Sequence, residues 1–164
     1  MSEQHLKLWR AVMLCATLAV MAVIFAFSAQ PGPGSYALSE QITHQVQSGG
    51  AQTLLPTFFS EDLHANLRKW AHIVVFCALG ICMAVTVHLF WGKGRAIPLT
   101  LRRQAVLAAV FCTGYAVTDE LHQLFVPGRT GLLADVGVDA IGFLPCIVIV
   151  YLFLALRNRR RKIS

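Results

Sequence analysis

The sequence predicts an all-α fold, a four-helix transmembrane bundle. Of its 164 residues, 56% are apolar and only 13% are charged, whereas a soluble domain carries roughly 25% charged residues. The apolar residues are clustered, because residues 11–39 and 71–92 contain no Asp, Glu, Lys or Arg. A membrane span needs about 20 such residues. The composition therefore argues against a soluble enzyme and against a disordered tail.

Four segments of a single domain, residues 1–164, are predicted to span the membrane. The first covers residues 8–28 and is followed by Gln-Pro-Gly-Pro-Gly, which cannot continue a helix. The second covers residues 70–91 and the fourth residues 136–156, which precede a basic tail. The third, residues 104–125, has only 15 uncharged residues before two acidic ones. It therefore needs the apolar residues beyond them to reach span length.

The basic residues predict the orientation of these spans. Eleven of the fourteen flank the spans on the side of the chain termini, and only Arg68, Lys69 and Arg129 lie at the opposite ends. The positive-inside rule then places both termini and the loop of residues 92–103 in the cytoplasm. The net charge of +6 is thereby explained by topology and lipid rather than by nucleic acid. The long first loop, residues 29–69, is expected outside, with apolar residues 54–59 able to touch the bilayer interface.

Ionisable residues in the spans are predicted to gather at one depth near the outer surface. A rise of about 1.5 Å per residue places Asp119, Glu120, Asp139 and His72 in one layer, and charged residues within a span are usually functional or paired. We therefore expect a polar pocket that opens to the outside. Nine residues are expected to line it: Arg68, Lys69, His72, Asp119, Glu120, Gln123, Arg129, Asp135 and Asp139.

The residue types in this pocket allow several kinds of chemistry. Paired carboxylates beside a histidine suit general acid–base catalysis, whereas Arg and Lys suit a phosphate or carboxylate ligand. Asp, Glu and His also bind divalent metals, but the sequence identifies neither a metal nor a cofactor. A purely structural network, including an ion pair between Arg129 and Asp135, is the alternative. Ser28 has no obvious base in the sequence.

Two further histidines and the five cysteines are not expected to take part in chemistry. His88 and His122 are isolated from other polar motifs, so packing or solvent contact is favoured for both. All five cysteines lie in apolar stretches without C-x-x-C spacing. We therefore expect them to be small packing residues.

Three stretches resemble the VanZ-like family of bacterial membrane proteins. They are residues 24–32 (IFAFSAQPG), residues 68–72 (RKWAH) and residues 119–129 (DELHQLFVPGR), the last followed by Asp135 and Asp139. The resemblance covers most of the chain in the right order. Its most specific part is the D-E-x-x-Q-x-x-x-P-G-R run. One departure is Asp139, which stands where many relatives have Asn.

The resemblance implies a polytopic protein of the bacterial cytoplasmic membrane, in a family whose founding member is tied to resistance to the lipoglycopeptide teicoplanin. Together with the residue types, it suggests three sets of site residues. The catalytic candidates are Asp119, Glu120 and His72; the anion-binding candidates are Arg68, Lys69 and Arg129; the pocket-lining candidates are Ser28, Gln30, Gln123, Asp135 and Asp139.

The leading hypothesis is a cell-envelope protein that lowers lipoglycopeptide susceptibility. Its polar pocket would bind or process an anionic outer-leaflet component, such as a lipid-linked cell-wall precursor. One alternative is a non-enzymatic membrane-interaction or structural protein that depends on the long outer loop. Another is a small transporter or lipid flippase, which would have to be oligomeric because four helices are few for a translocation path. The sequence does not predict the oligomeric state.

Overall fold

A computed structural model describes residues 2–31, 63–92, 97–129 and 131–163. The described residues are helical in four segments and contain no strand, which confirms the all-α prediction for this part of the chain. The expected interfacial segment, residues 54–59, lies outside the described residues. The helices are α1 (Glu3–Ser28), α2 (Leu63–Trp91), α3 (Leu101–Gln123) and α4 (Leu133–Ile163).

Each predicted span coincides with one of these helices, but all four helices begin three to seven residues before the predicted starts. For α1 and α3, a polar cap accounts for the extra turn. Ser2 precedes α1, and its hydroxyl oxygen accepts a hydrogen bond from the backbone N–H of His5. Thr100 precedes α3 and accepts from the N–H of Arg103 in the same way. Such caps satisfy backbone donors that the first turn leaves free. Hydropathy alone does not register these turns.

The third helix ends two residues before the predicted boundary. It stops at Gln123, and the chain then turns through Pro127 and Gly128 before α4. Gly128 has a φ of 75°, a conformation that a side chain makes costly. This turn brings Leu132 back against α3, where it becomes part of the site described below.

The helices alternate in direction, so α2 and α4 run parallel and pack closely. The hydroxyl of Tyr151 donates to the carbonyl oxygen of Ala84 at 3.0 Å, which fixes their register. A Cβ atom on Gly80 would lie 2.8 Å from the carbonyl oxygen of Phe143, and one on Gly142 would collide with the backbone of Ile73. Glycines thus permit the backbones to approach, as small residues do between membrane helices.

A disulfide joins Cys77 of α2 to Cys146 of α4, with Cα atoms 5.8 Å apart. The expectation that all five cysteines are packing residues is therefore wrong for this pair. The two positions are separated by 69 residues, and no local spacing in the sequence links them. Only the parallel packing of α2 and α4 brings them together.

The surface of the bundle is apolar, which identifies a membrane environment. Three helical stretches within α1, α2 and α4 are long and apolar enough to cross a bilayer. Large apolar side chains such as Val74, Val110 and Phe153 are more than 60% exposed. A soluble protein rarely exposes contiguous apolar surface of this kind. The chain is therefore a multi-pass membrane protein.

Helix α3 is not among the three stretches, because it carries polar residues that face inward. Gln104, Asp119, Glu120 and Gln123 are all buried. Gln104 lies at the end of the bundle that carries the chain termini, here the terminal end, and its amide nitrogen donates to the carbonyl oxygens of Trp91 and Leu99. The burial of Gln104 supports the prediction that α3, the third predicted span, also crosses the membrane, since its polar groups are satisfied inside the bundle.

Candidate ligand-binding site

Most of the predicted pocket residues meet at one end of the bundle, here the site end, where α1 and α3 end and α2 and α4 begin. They surround a cavity of about 20 Å³, room for about one water molecule. Val138, which is apolar and was not among the predicted pocket residues, also lines the cavity. It lies three residues after Asp135, on the same helix face. The cavity is lined by Arg68, Lys69, His72, Glu120, Gln123, Asp135, Val138 and Asp139.

A histidine and a carboxylate form the deepest pair of this cavity. His72 Nδ1 lies 3.2 Å from Asp139 Oδ1, and Asp139 is fully buried. The second carboxylate oxygen, Oδ2, is buried without a hydrogen-bond partner among the described residues. A carboxylate at one ring nitrogen orients an imidazole and leaves the other nitrogen for proton exchange.

A second buried pair joins Ser28 at the end of α1 to Asp119 of α3. The Ser28 hydroxyl donates to Asp119 Oδ2 at 2.8 Å, and the Gln123 amide donates to the same oxygen at 3.1 Å. Ser28 therefore has a carboxylate partner that the sequence did not reveal, because 91 residues separate the two. Neither Ser28 nor Asp119 is among the cavity-lining residues. Asp119 Oδ1, also buried, has no partner in the described part of the chain.

Glu120 belongs to the same network through Gln123. Its Oε1 atom accepts a hydrogen bond from the Gln123 amide at 3.2 Å, and its Oε2 accepts from the backbone N–H of Leu132 at 2.9 Å. A side chain at Gly131 would collide with the carbonyl oxygen of Glu120, so the chain entering α4 packs directly against α3. Glu120 is thereby buried in the cluster rather than directed to lipid headgroups.

Two of the three predicted anion-binding residues already have partners. Lys69 Nζ lies 3.4 Å from Asp135 Oδ1. Arg129 donates from Nε to the carbonyl oxygen of Gln30 at 3.1 Å and from Nη2 to that of Phe27 at 3.0 Å, as a cation does at a helix C-terminus. The alternative of an Arg129–Asp135 ion pair is therefore wrong, because Asp135 pairs with Lys69.

Arg129 retains one unused donor and lies within electrostatic range of a second guanidinium group, that of Arg68. Burial and the nearby charge of Arg68 lower the pKa of Arg129, while Asp119 and Glu120 act in the opposite direction. Arg129 Nη1 is buried without a partner among the described residues. Within the same residues, Arg68 makes no hydrogen bond or ion pair. An anion placed between the two guanidinium groups would offset both features.

The other polar residues flagged in the sequence lie outside the cavity lining. Gln30 contributes its backbone oxygen to Arg129. His122 stacks on Phe25 with ring centroids 4.3 Å apart, as the packing interpretation predicts. His88 instead makes a polar contact, since its Nδ1 atom lies 2.9 Å from Gln104 Oε1.

A metal centre finds no support in the described ranges. They contain no group of three or more His, Cys, Asp or Glu side chains placed to hold an ion.

Comparison with known proteins places the chain in a family but does not supply a relative of known structure. No curated protein and no solved structure matches it significantly. A family model described as VanZ/LLP1 matches residues 13–154, a range that includes α2, α3, most of α1 and α4, and every cavity-lining residue. The chain belongs to the VanZ/LLP1 family of membrane proteins.

Proposed function

We propose that this protein acts in the bacterial cell envelope and lowers susceptibility to lipoglycopeptides such as teicoplanin. Its polar cluster binds, or binds and processes, the anionic group of an outer-leaflet component such as a lipid-linked cell-wall precursor. The observation that carries the proposal is a pair of incompletely used guanidinium groups at one end of the bundle, those of Arg68 and Arg129. Arg129 has an unused buried donor, and Arg68 lacks a partner among the described residues.

The arrangement gives each group a distinct role in this proposal. Arg68 lines the cavity and is partly exposed, so it makes the first contact with a phosphate or carboxylate. Arg129 completes the contact through Nη1 while its other nitrogens remain on the end of α1. Lys69 can contact the anion only if its ion pair with Asp135 breaks. That pair is partly exposed, and such pairs contribute about 0–1 kcal/mol.

The carboxylates and the histidine supply the possible chemistry. In a reaction, His72, oriented by Asp139, would exchange a proton with the bound group, and Glu120 would act as its acid–base partner across the cavity. Asp119 would hold Ser28 and Gln123 in place beside them. A purely binding function uses the same residues to balance the charge of the two arginines.

The proposal is tested by expressing the protein in a susceptible Gram-positive strain and measuring inhibitory concentrations of teicoplanin and vancomycin. We expect the wild type to protect against teicoplanin, and the Arg68→Gln and Asp119→Asn variants to lose the protection. Arg103→Gln is the matched control, because Arg103 is an exposed arginine at the terminal end. Membrane levels of every variant are measured by immunoblotting.

Two results would contradict the proposal. Full protection by well-inserted Arg68→Gln and Asp119→Asn would contradict a binding site in the cluster. No protection by the wild type would mean that the family membership does not carry lipoglycopeptide resistance to this chain.

A structural, non-enzymatic role of the cluster is the second candidate, and one observation favours it. Nearly every group has an internal partner: Ser28 with Asp119, His72 with Asp139, Lys69 with Asp135, and Glu120 with the chain before α4. Such a network holds all four helices at one end. Under this alternative, cluster variants that fold would keep their protection, and deletion within the loop of residues 32–62 would remove it.

A further inference from the structure

We infer that the ligand is a zwitterion, in which a primary ammonium group accompanies the anionic group, as in a phosphoethanolamine headgroup. This inference rests on the proposed function and specifies its ligand. It comes from the distribution of charge in the cavity. Arg68 and the Lys69–Asp135 ion pair are partly exposed, which leaves a net positive charge where the cavity opens, whereas the carboxylates of Asp139 and Glu120 are buried.

The buried end of the cavity offers acceptors to a cation. Asp139 lines it and is 0% exposed, and its Oδ2 atom has no hydrogen-bond partner among the described residues. Glu120 lines the same cavity and is 4% exposed. A buried carboxylate oxygen without a donor is costly, so the site favours a ligand that brings N–H donors. An ammonium group brings three.

The opening of the cavity offers donors to an anion. Arg68 and Lys69 line it and are both partly exposed. They precede His72 by about one helical turn on α2, which places them roughly 5–6 Å further along the axis. A phosphate joined to an amine through two carbon atoms spans a similar distance. The phosphate would therefore lie at Arg68 while the amine reaches Asp139.

The acceptors at the buried end select among amines. A primary ammonium has three N–H groups to donate to the carboxylates of Asp139 and Glu120. A trimethylammonium has no N–H and leaves the buried Oδ2 atom of Asp139 without a donor. The site therefore favours phosphoethanolamine over phosphocholine.

The test is native mass spectrometry of the full-length protein in detergent, titrated with three lipids of identical acyl chains. The probes are phosphatidylethanolamine, phosphatidylcholine and phosphatidylglycerol. We expect phosphatidylethanolamine to bind at least tenfold more tightly than phosphatidylcholine and more tightly than phosphatidylglycerol. Asp139→Asn should remove the preference for phosphatidylethanolamine, while Arg103→Gln, distant from the cavity, should keep it.

The outcomes separate this inference from the proposed function. Equal or stronger binding of phosphatidylglycerol to the wild type would overturn the zwitterion and leave anion binding intact. Equal binding of phosphatidylcholine would overturn it too, because a headgroup without N–H donors would then bind as tightly as one with three. If the wild type binds none of the lipids, or if Arg68→Gln binds them as tightly as the wild type, both the zwitterion and the proposed anion site are contradicted. The lipid series on the wild type decides the matter even if Asp139→Asn does not fold.

One further arm identifies the source of the headgroup. Soluble glycerophosphoethanolamine is added as a competitor at millimolar concentration. Displacement of the lipid would indicate that the protein recognises the headgroup alone, so that a free zwitterion is enough for binding. Resistance to displacement, with phosphatidylethanolamine still preferred, supports a lipid whose acyl chains contribute to binding.

Discussion

Removal of the Ser28 hydroxyl should weaken the whole site end of the bundle. In the Ser28→Ala variant, Asp119 Oδ2 loses the 2.8 Å hydrogen bond from α1 and keeps only the one from Gln123 in its own helix. Both Ser28 and Asp119 are nearly fully buried. Water cannot readily replace the lost donor, and Asp119 Oδ1 already has no partner among the described residues.

The expected cost follows from the type of bond that is lost. A hydrogen bond to a charged group contributes about 1.5–3 kcal/mol in soluble proteins. Interhelical hydrogen bonds in membranes average about 0.6 kcal/mol and reach about 1.7 kcal/mol. Because the acceptor is a buried carboxylate, we expect a loss near the upper membrane value, about 1–2 kcal/mol. That loss changes the folded-to-unfolded ratio by roughly 5–30-fold.

The assay is reversible unfolding in mixed micelles, with the free energy of unfolding followed by helical circular dichroism. Thr118→Ala is the matched control, because its exposed hydroxyl bonds only to the Tyr115 carbonyl oxygen of its own helix. We expect that control to change stability by no more than about 0.5 kcal/mol. A double-mutant cycle with Asp119→Asn should give a coupling energy above about 0.5 kcal/mol. A Ser28→Ala variant as stable as the wild type, with no coupling, would refute the reasoning.

Two further predictions concern the contact between α2 and α4. Gly142→Ala should destabilise the bundle by about 1–3 kcal/mol, because the new Cβ collides with the Ile73 backbone; Gly137→Ala, which meets no described atom within 4 Å, should leave the unfolding free energy nearly unchanged. Denatured, unreduced protein should react with three equivalents of maleimide and reduced protein with five, since Cys77 and Cys146 are joined. Five reactive thiols before reduction would contradict that bond.

The helical fold was predictable because hydropathy and helix-breaking residues dominate this sequence. Pro127 and Gly128 mark the end of α3, and the uncharged stretches mark the other three helices. The third span was the hardest to recognise, since several of its residues are polar and are buried inside the bundle. Gln104, for example, lowers the hydropathy of α3 but is buried and hydrogen-bonded.

The gathering of the site residues was also predictable, whereas their pairing was not. Depth along each helix brought His72, Asp119 and Asp139 into one layer, because helical rise is regular. Which side chains bond depends on helix order and rotation, which periodicity does not specify. Sequence reasoning therefore missed the partner of Ser28 and wrongly allowed Arg129 to pair with Asp135.

The cysteine bridge shows the same limit at longer range. Cys77 and Cys146 lie in different spans, and their apolar surroundings favour simple packing. Their contact depends on the close, glycine-permitted approach of α2 and α4 at Gly80 and Gly142. The residues next to either cysteine in the sequence do not indicate that the two helices come this close.

The polar cluster is expected to open outside the cell, and thiol labelling of intact cells tests this orientation directly. Single cysteines replace Leu132 at the site end or Ile97 at the terminal end, which are 52% and 69% exposed. The background lacks the three free cysteines. A membrane-impermeant maleimide should label Leu132→Cys in intact cells and Ile97→Cys only after permeabilisation. Labelling of Ile97→Cys alone in intact cells would show that the orientation is the reverse of the predicted one, and would contradict the proposed outer-leaflet ligand.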